Sequence, residues 1–156
     1  MTTTHSHPDT SRVTPPARRV VRAEVTTDPL DVAEHATLVT DPAAGAVVTF
    51  AGVVRDHDQG REVTYIEYVA HPSAGSIVAD AAAEVAARHP VDALAVSHRV
   101  GHLDVGECAL AVAVSAAHRR EAFEAASDLV EVVKHRLPVW KRQVFPDGTD
   151  EWANCP

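Results

Sequence analysis

The sequence predicts one α+β domain, a mostly antiparallel sheet with helices packed against it. Three observations carry that reading. Runs with strand or helix periodicity follow one another in the order β-α-β-β-α-β-β-α. Several strands are joined by short polar turns, a connection that suits antiparallel pairs and not parallel ones. The 156 residues, 46% of them hydrophobic, supply one core and show no internal repeat or second unit.

Residues 1–17, rich in Thr, Ser, Pro and His, read as a disordered tail, which places the folded domain at 18–156. Arg19 to Val25 alternates, with Val21, Ala23 and Val25 on one face of a strand. Asp28-Pro29 reads as a helix start, cap and then first-turn proline, with the helix running to about Leu38. Ala46 to Val54 is a buried strand, and Gly52 inside it suggests a bulge or a close backbone approach. The polar run from Asp56 to Gly60 reads as a turn, with 63–70 as the hairpin partner of that strand. Ser73 to His89 is an Ala-rich helix stopped by Pro90. Leu94 to Val100 is a strand with Leu94, Val96, His98 and Val100 on one side. A turn at 104–107 leads to a strand over Cys108–Ser115. A helix follows and ends near Leu137, because the residue before Pro138 avoids helical dihedrals. In the remainder, Asp147-Gly148 is a turn, and Trp152 is expected to pack back on the body.

Charge and cysteines narrow the function. A formal net charge of −8 argues against nucleic acid or an acidic membrane as partner. Residues 118–142 run against that trend, with six Arg or Lys to four Glu or Asp, a pattern suited to a small anion. Cys108 lies in an apolar run and reads as core; Cys155 reads as a free thiol near the end. The pair matches no metal spacing, and a reducing cytoplasm is the simplest setting. No run reaches membrane-spanning length, and no signal-peptide core is evident.

The two lysines carry the chemistry. Lys134 and Lys141 are the only lysines in the chain, against twelve arginines. Only Lys can release its proton at a useful pH. The plain alternative is that an Arg-rich composition left two Lys together by chance. Phe123, Ala126, Val130, Val133 and Leu137 recur at helical spacing, and Lys134 falls at the margin of that apolar stripe. Partial burial there is expected to lower its pKa. Lys141 follows Pro138 on an extended segment that turns back past the helix end. His118 and Arg119 precede the stripe, near a helix N-terminus whose free N–H groups favour anions.

Four segments together resemble the MoaE family, the catalytic (large) subunit of molybdopterin synthase. They are GAVVTFAGVVRDHDQG (45–60), HRVGHLDVGE (98–107), SAAHRREAFEA (115–125) and VVKHRLPVWKR (132–142), and the resemblance spans roughly 19–152. It implies an α/β hammerhead-like fold and a homodimer within a heterotetramer. The partner it implies is a small ubiquitin-like subunit carrying a C-terminal thiocarboxylate. It implies sulfur transfer to cyclic pyranopterin monophosphate (precursor Z), giving the dithiolene of molybdopterin with no cofactor and no metal. Position by position, Lys134 and Lys141 match the catalytic lysines. Arg55, His118 and Arg119 match the anion-binding residues and are expected to converge on one phosphate, with Phe50 at a pocket position.

The sequence departs from the family in three places. His102 stands where an acidic residue is usual, and Val139 where an aromatic is common. The chain stops at Pro156, where relatives often continue with a basic tail that lends an arginine to the neighbouring site; that contact is expected to be absent or replaced, by Arg136 or Arg142. Its end is not Gly-Gly, so the thiocarboxylate must come from another chain. Two other readings stand beside this one. One is a non-catalytic anion-binding or assembly module. The other is a His-based metal-binding protein using His98, His102 and His118, although the first two do not share a helical face.

Overall fold

The computed structural model describes residues 11–154. The elements are β1 (Arg19–Thr26), α1 (Val32–Leu38), β2 (Ala46–Val53), β3 (His57–Asp58), β4 (Arg61–Glu62) and β5 (Tyr65–Ala70). There follow α2 (Ala74–Arg88), β6 (Val91–Arg99), β7 (Gly101–Asp104), β8 (Cys108–Ala116), α3 (Arg119–Arg136), β9 (Val139–Val144) and β10 (Asp150–Asn154). The fold is α+β with mostly antiparallel sheets, as the sequence predicts.

Two four-stranded sheets organise the chain. The first has the order β1-β6-β8-β2, antiparallel except for the parallel β1–β6 pair. Its central strands are buried on both faces, as the near-continuous apolar composition of β6 and β8 requires. Leu94, Val96, Leu110, Val112 and Val114 face α2 and α3 and form the main core with Val78, Val85, Leu129 and Val133. On the opposite face the small residues Ala93, Ala95 and Ala113 meet Val39 beyond α1. The second sheet, β10-β9-β5-β7, has its own core of Val54, Val63, Ile66, Leu103, Ala109 and Phe145.

Chain direction sets where the site lies. Strand β8 ends opposite the start of β2, Ala116 against Ala46. Helix α3 then packs back along β8 and β2. Its N-terminus therefore lies by Gly45, and its C-terminal turn, with Lys134, lies toward the Val53 end.

Several expectations need correction. Strand β2 does not pair with 63–70; it pairs with β8, and β5 joins β7 and β9 in the second sheet. The short turn after Arg55 instead closes the small β3–β4 hairpin, with Gln59 and Gly60 both at positive φ. Helix α1 starts later than Asp28-Pro29: the cap is Asp31, whose carboxylate accepts from the Glu34 N–H at 3.2 Å. Residues 101–104 form β7, and 139–154 hold two strands. Trp152 sits on edge strand β10 and is exposed rather than packed. Cys108 is only half-buried, and burial pushes its thiol pKa up; Cys155 lies outside the described residues.

The tail reading also changes. Residues 1–10 lie outside the described residues, but from Ser11 the chain is held on the body. The Arg12 side chain is 8% exposed and ion-paired with Asp92, itself 1% exposed. A charged pair of this kind is invisible to a scan for apolar periodicity. Gly52 behaves as expected: the register shifts beside it, and an added Cβ would come within 3.3 Å of the Phe50 ring.

Candidate functional site

The Lys134 end of the molecule gathers three of the six candidate residues: Lys134, Lys141 and Arg55. Lys134 is half-buried on the last turn of α3, as its place beside the apolar stripe predicts. Phe123 does not belong to that stripe; it is 60% exposed, and the buried face is Ala122, Ala125, Ala126, Leu129, Val130 and Val133. Pro138 ends the helix, and β9 carries Lys141 back alongside β5, opposite Tyr68.

His98 stands beside Lys134. It points from β6 to the α2/α3 side, the face its strand alternation assigns it. Its Nδ1–H donates to the Arg99 carbonyl at 2.8 Å, which leaves Nε2 with the lone pair. The ring stands edge-on to Tyr68, centroids 5.1 Å apart. Burial pushes its pKa down to about 4, against a raising contribution from the Arg99 hydrogen bond, and the nearby Lys134 charge lowers it further. At neutral pH the ring is therefore uncharged.

Asp58 lies close to both Arg55 and Lys141. Its carboxylate accepts from Gln143 Nε2 at 2.8 Å and from Arg55 Nη2 at 2.9 Å. The Gln143 hydrogen bond, the Lys141 charge and Arg55 hold its pKa below the ordinary carboxylate value. Arg55 is largely exposed and open to an anion. Sequence reasoning missed Asp58; its three-residue spacing from Arg55 was the available signal. Arg99 binds Glu107, whose other oxygen accepts from the Asp104 N–H at 3.2 Å, and so shapes the turn beneath Val54.

His118 and Arg119 are not at this end. His118 is the N-cap of α3, with extended φ/ψ and no side-chain capping bond. With Arg119, Arg120, Glu121, Gly45 and Ala46 it lines a separate cavity. The first-turn N–H groups and Arg119 suit an anion there, although the Glu121 carboxylate shares the space. From Arg119 to Lys134 α3 spans about 22 Å. One chain therefore does not bring Arg55, His118 and Arg119 to a common phosphate, contrary to the expectation from the sequence. Phe50 lies between the two ends, in an apolar groove with Phe123 and Val130.

The expected stand-ins for the basic tail are engaged elsewhere. Arg136 pairs with Glu84, and Arg142 with Glu67 at 2.8 Å and Asp150 at 3.1 Å. His102 meets Asp104 at 2.8 Å and stacks on Tyr65. Among the described residues no three His, Cys, Asp or Glu side chains group closely enough to hold a metal ion. No helix among them is long and apolar enough to cross a membrane.

Comparison with known proteins identifies the family. The family model described as "MoaE protein" matches residues 25–136. Molybdopterin synthase catalytic subunits are similar: that of Aspergillus clavatus is 38% identical over 85% of this chain and 67% of its own length. That of Bacillus subtilis is 36% identical over 84% and 83%. The crystal structure of molybdopterin synthase from Staphylococcus aureus superposes with a TM-score of 0.78 at 29% identity, covering 84% of this chain and 96% of that one. A complex of subunits 1 and 2 of molybdopterin-converting factor from Helicobacter pylori, 18% identical with a TM-score of 0.63, shares the fold over 86% and 88% of the two chains. This chain belongs to the MoaE family, as a molybdopterin synthase catalytic subunit of molybdenum cofactor biosynthesis.

Proposed function

We propose that the chain is a sulfurtransferase of the cytoplasm. It takes sulfur from the thiocarboxylated C-terminus of a small ubiquitin-like subunit and installs it on precursor Z as the dithiolene. The observation that carries this reading is the meeting of the only two lysines with Arg55 at one end of the fold. Lys134 reaches it from α3 and Lys141 from β9, with His98, Tyr68 and Asp58 between them. Ring opening and sulfur addition require proton transfers, which a half-buried amine can supply and a guanidinium cannot. Lys134 is the proposed proton carrier. Lys141 supplies positive charge beside the acyl group and the substrate, and Arg55 takes the phosphate.

A homodimer is part of the same proposal. Strand β2 is a sheet edge, and Val47, Phe50, Val53 and the neighbouring Phe123 are exposed along it. A second copy related by a two-fold axis across this face runs antiparallel to the first. That arrangement sets His118 and Arg119 of one copy near Lys134 and Arg55 of the other, which resolves the ~22 Å separation within one chain. The small subunits complete a heterotetramer.

The test is incubation of the purified chain with precursor Z and a thiocarboxylated small subunit, followed by dithiolene formation in a single turnover. Product is expected only when both are present. Product from inorganic sulfide alone at an equal rate refutes the reading.

A further inference from the structure

The N-terminal segment 11–18 is pinned at two points. At one, the Arg12 guanidinium engages both oxygens of Asp92 and donates from Nε to the Thr14 carbonyl at 2.9 Å. Asp92 sits where the β6–β8 register shifts, so its side chain is turned out of the regular pattern to meet Arg12. At the other, Arg18 takes left-handed φ, bonds Val91 O through its N–H at 3.0 Å, and places Nη1 on the carbonyls of Ala86, Ala87 and His89. The last three carbonyls belong to the C-terminal end of α2, where such acceptors lack helical partners.

This pinned segment reaches the anion end of α3. Ser11 Oγ lies 3.4 Å from His118 Nε2. Ser11, Arg12 and Thr14 form one wall of a cavity whose other wall is Pro42–Gly45 and His118. The opposite wall is rigid: a Cβ on Gly45 would stand 2.6 Å from the Ala117 carbonyl oxygen, so only glycine lets the loop pack there.

We propose that residues 11–18 are a latch, fastened by Arg12 on Asp92, that sets the orientation of His118 through Ser11. Ser11 and Arg12 are then positioning residues for the anion end of the site. The inference rests on the reading that His118 contacts the substrate's anion. His118 is a two-ended imidazole at a helix start, and its side chain makes no capping bond to α3. A partner on Nε2 restricts its ring rotation and tautomer. The buried ion pair, not the exposed serine, supplies the rigidity that makes this contact persistent.

The experiment uses the full chain assembled with its small subunit. Variants are Ser11→Ala, Ser11→Thr, Arg12→Gln and, as a control on the underlying reading, His118→Ala. The His118 ring 15N resonances are followed by NMR across pH, and KM for precursor Z and kcat are measured separately. Ser11→Ala is expected to move the His118 Nε2 resonance and raise KM about three- to ten-fold, the loss of one hydrogen bond, with kcat within about two-fold. Ser11→Thr, which keeps the hydroxyl, restores both, and Arg12→Gln reproduces the Ser11→Ala shift. An unmoved His118 resonance in Ser11→Ala and Arg12→Gln overturns the latch. A moved resonance with unchanged KM overturns its role in the reaction. Unchanged KM in His118→Ala overturns instead the assignment of His118 to the substrate.

Discussion

Acidification should reveal His98 as a buried neutral histidine beside Lys134. Its folded-state pKa is about 4 against an ordinary 6.5. The unfolded chain therefore takes up a proton first as pH falls. The stability contribution is complete above pH ~6.5, declines through the window between the two values, and is gone below pH ~4. The full difference is about 3 kcal/mol, and about 2.5 kcal/mol of it is lost by pH 4.5. Other groups titrate nearby, so the measurement is a comparison with His98→Gln, whose amide can still donate to the Arg99 carbonyl. Urea-unfolding free energies are taken for both proteins at pH 7.5, 6, 5 and 4.5, at one fixed protein concentration because assembly contributes to stability. His98→Gln costs stability at pH 7.5, and the wild-type advantage shrinks by about 2.5 kcal/mol on reaching pH 4.5. A gap that is constant with pH to within about 0.5 kcal/mol refutes the argument, because His98 would then carry the same charge in both states.

Three further outcomes follow from the same geometry. Lys134→Arg keeps the fold and small-subunit binding but loses dithiolene formation by about a hundred-fold or more in single turnover, since a guanidinium keeps its proton; turnover within a few-fold of wild type would reduce Lys134 to a fixed charge. Arg12→Ala strands the Asp92 carboxylate at 1% exposure, costing about 3–5 kcal/mol and lowering the melting midpoint by on the order of 10 °C; calorimetry showing no drop would mean that the pair is not formed in solution. Phe123→Asp puts a charge on the β2–α3 face and should convert the proposed homodimer to monomer in sedimentation while leaving the circular dichroism spectrum intact, and a dimer of unchanged affinity would place the interface elsewhere.

Local pattern determined much of this protein. The alternation of Leu94, Val96 and His98 assigned one face of β6, and Pro138 marked the end of α3, because strand alternation and proline geometry act over a few residues. The two lysines in an Arg-rich chain pointed to the same end of the fold where the structure gathers Arg55. Partner choice between strands was not legible. The short turn after Arg55 suggested a β2–β5 hairpin, but β2 gains more by closing on β8 over eight paired positions, and β5 is drawn to β9 and β7. Charge networks were hidden for the same reason. Arg12 meets Asp92 across 80 residues and Asp58 meets Gln143 across 85, and no periodicity records such pairs. The placement of His118 and Arg119 also needed the fold. Their nearness to Lys134 in sequence becomes opposite ends of one rigid helix, since an α-helix turns 15 residues into about 22 Å of separation.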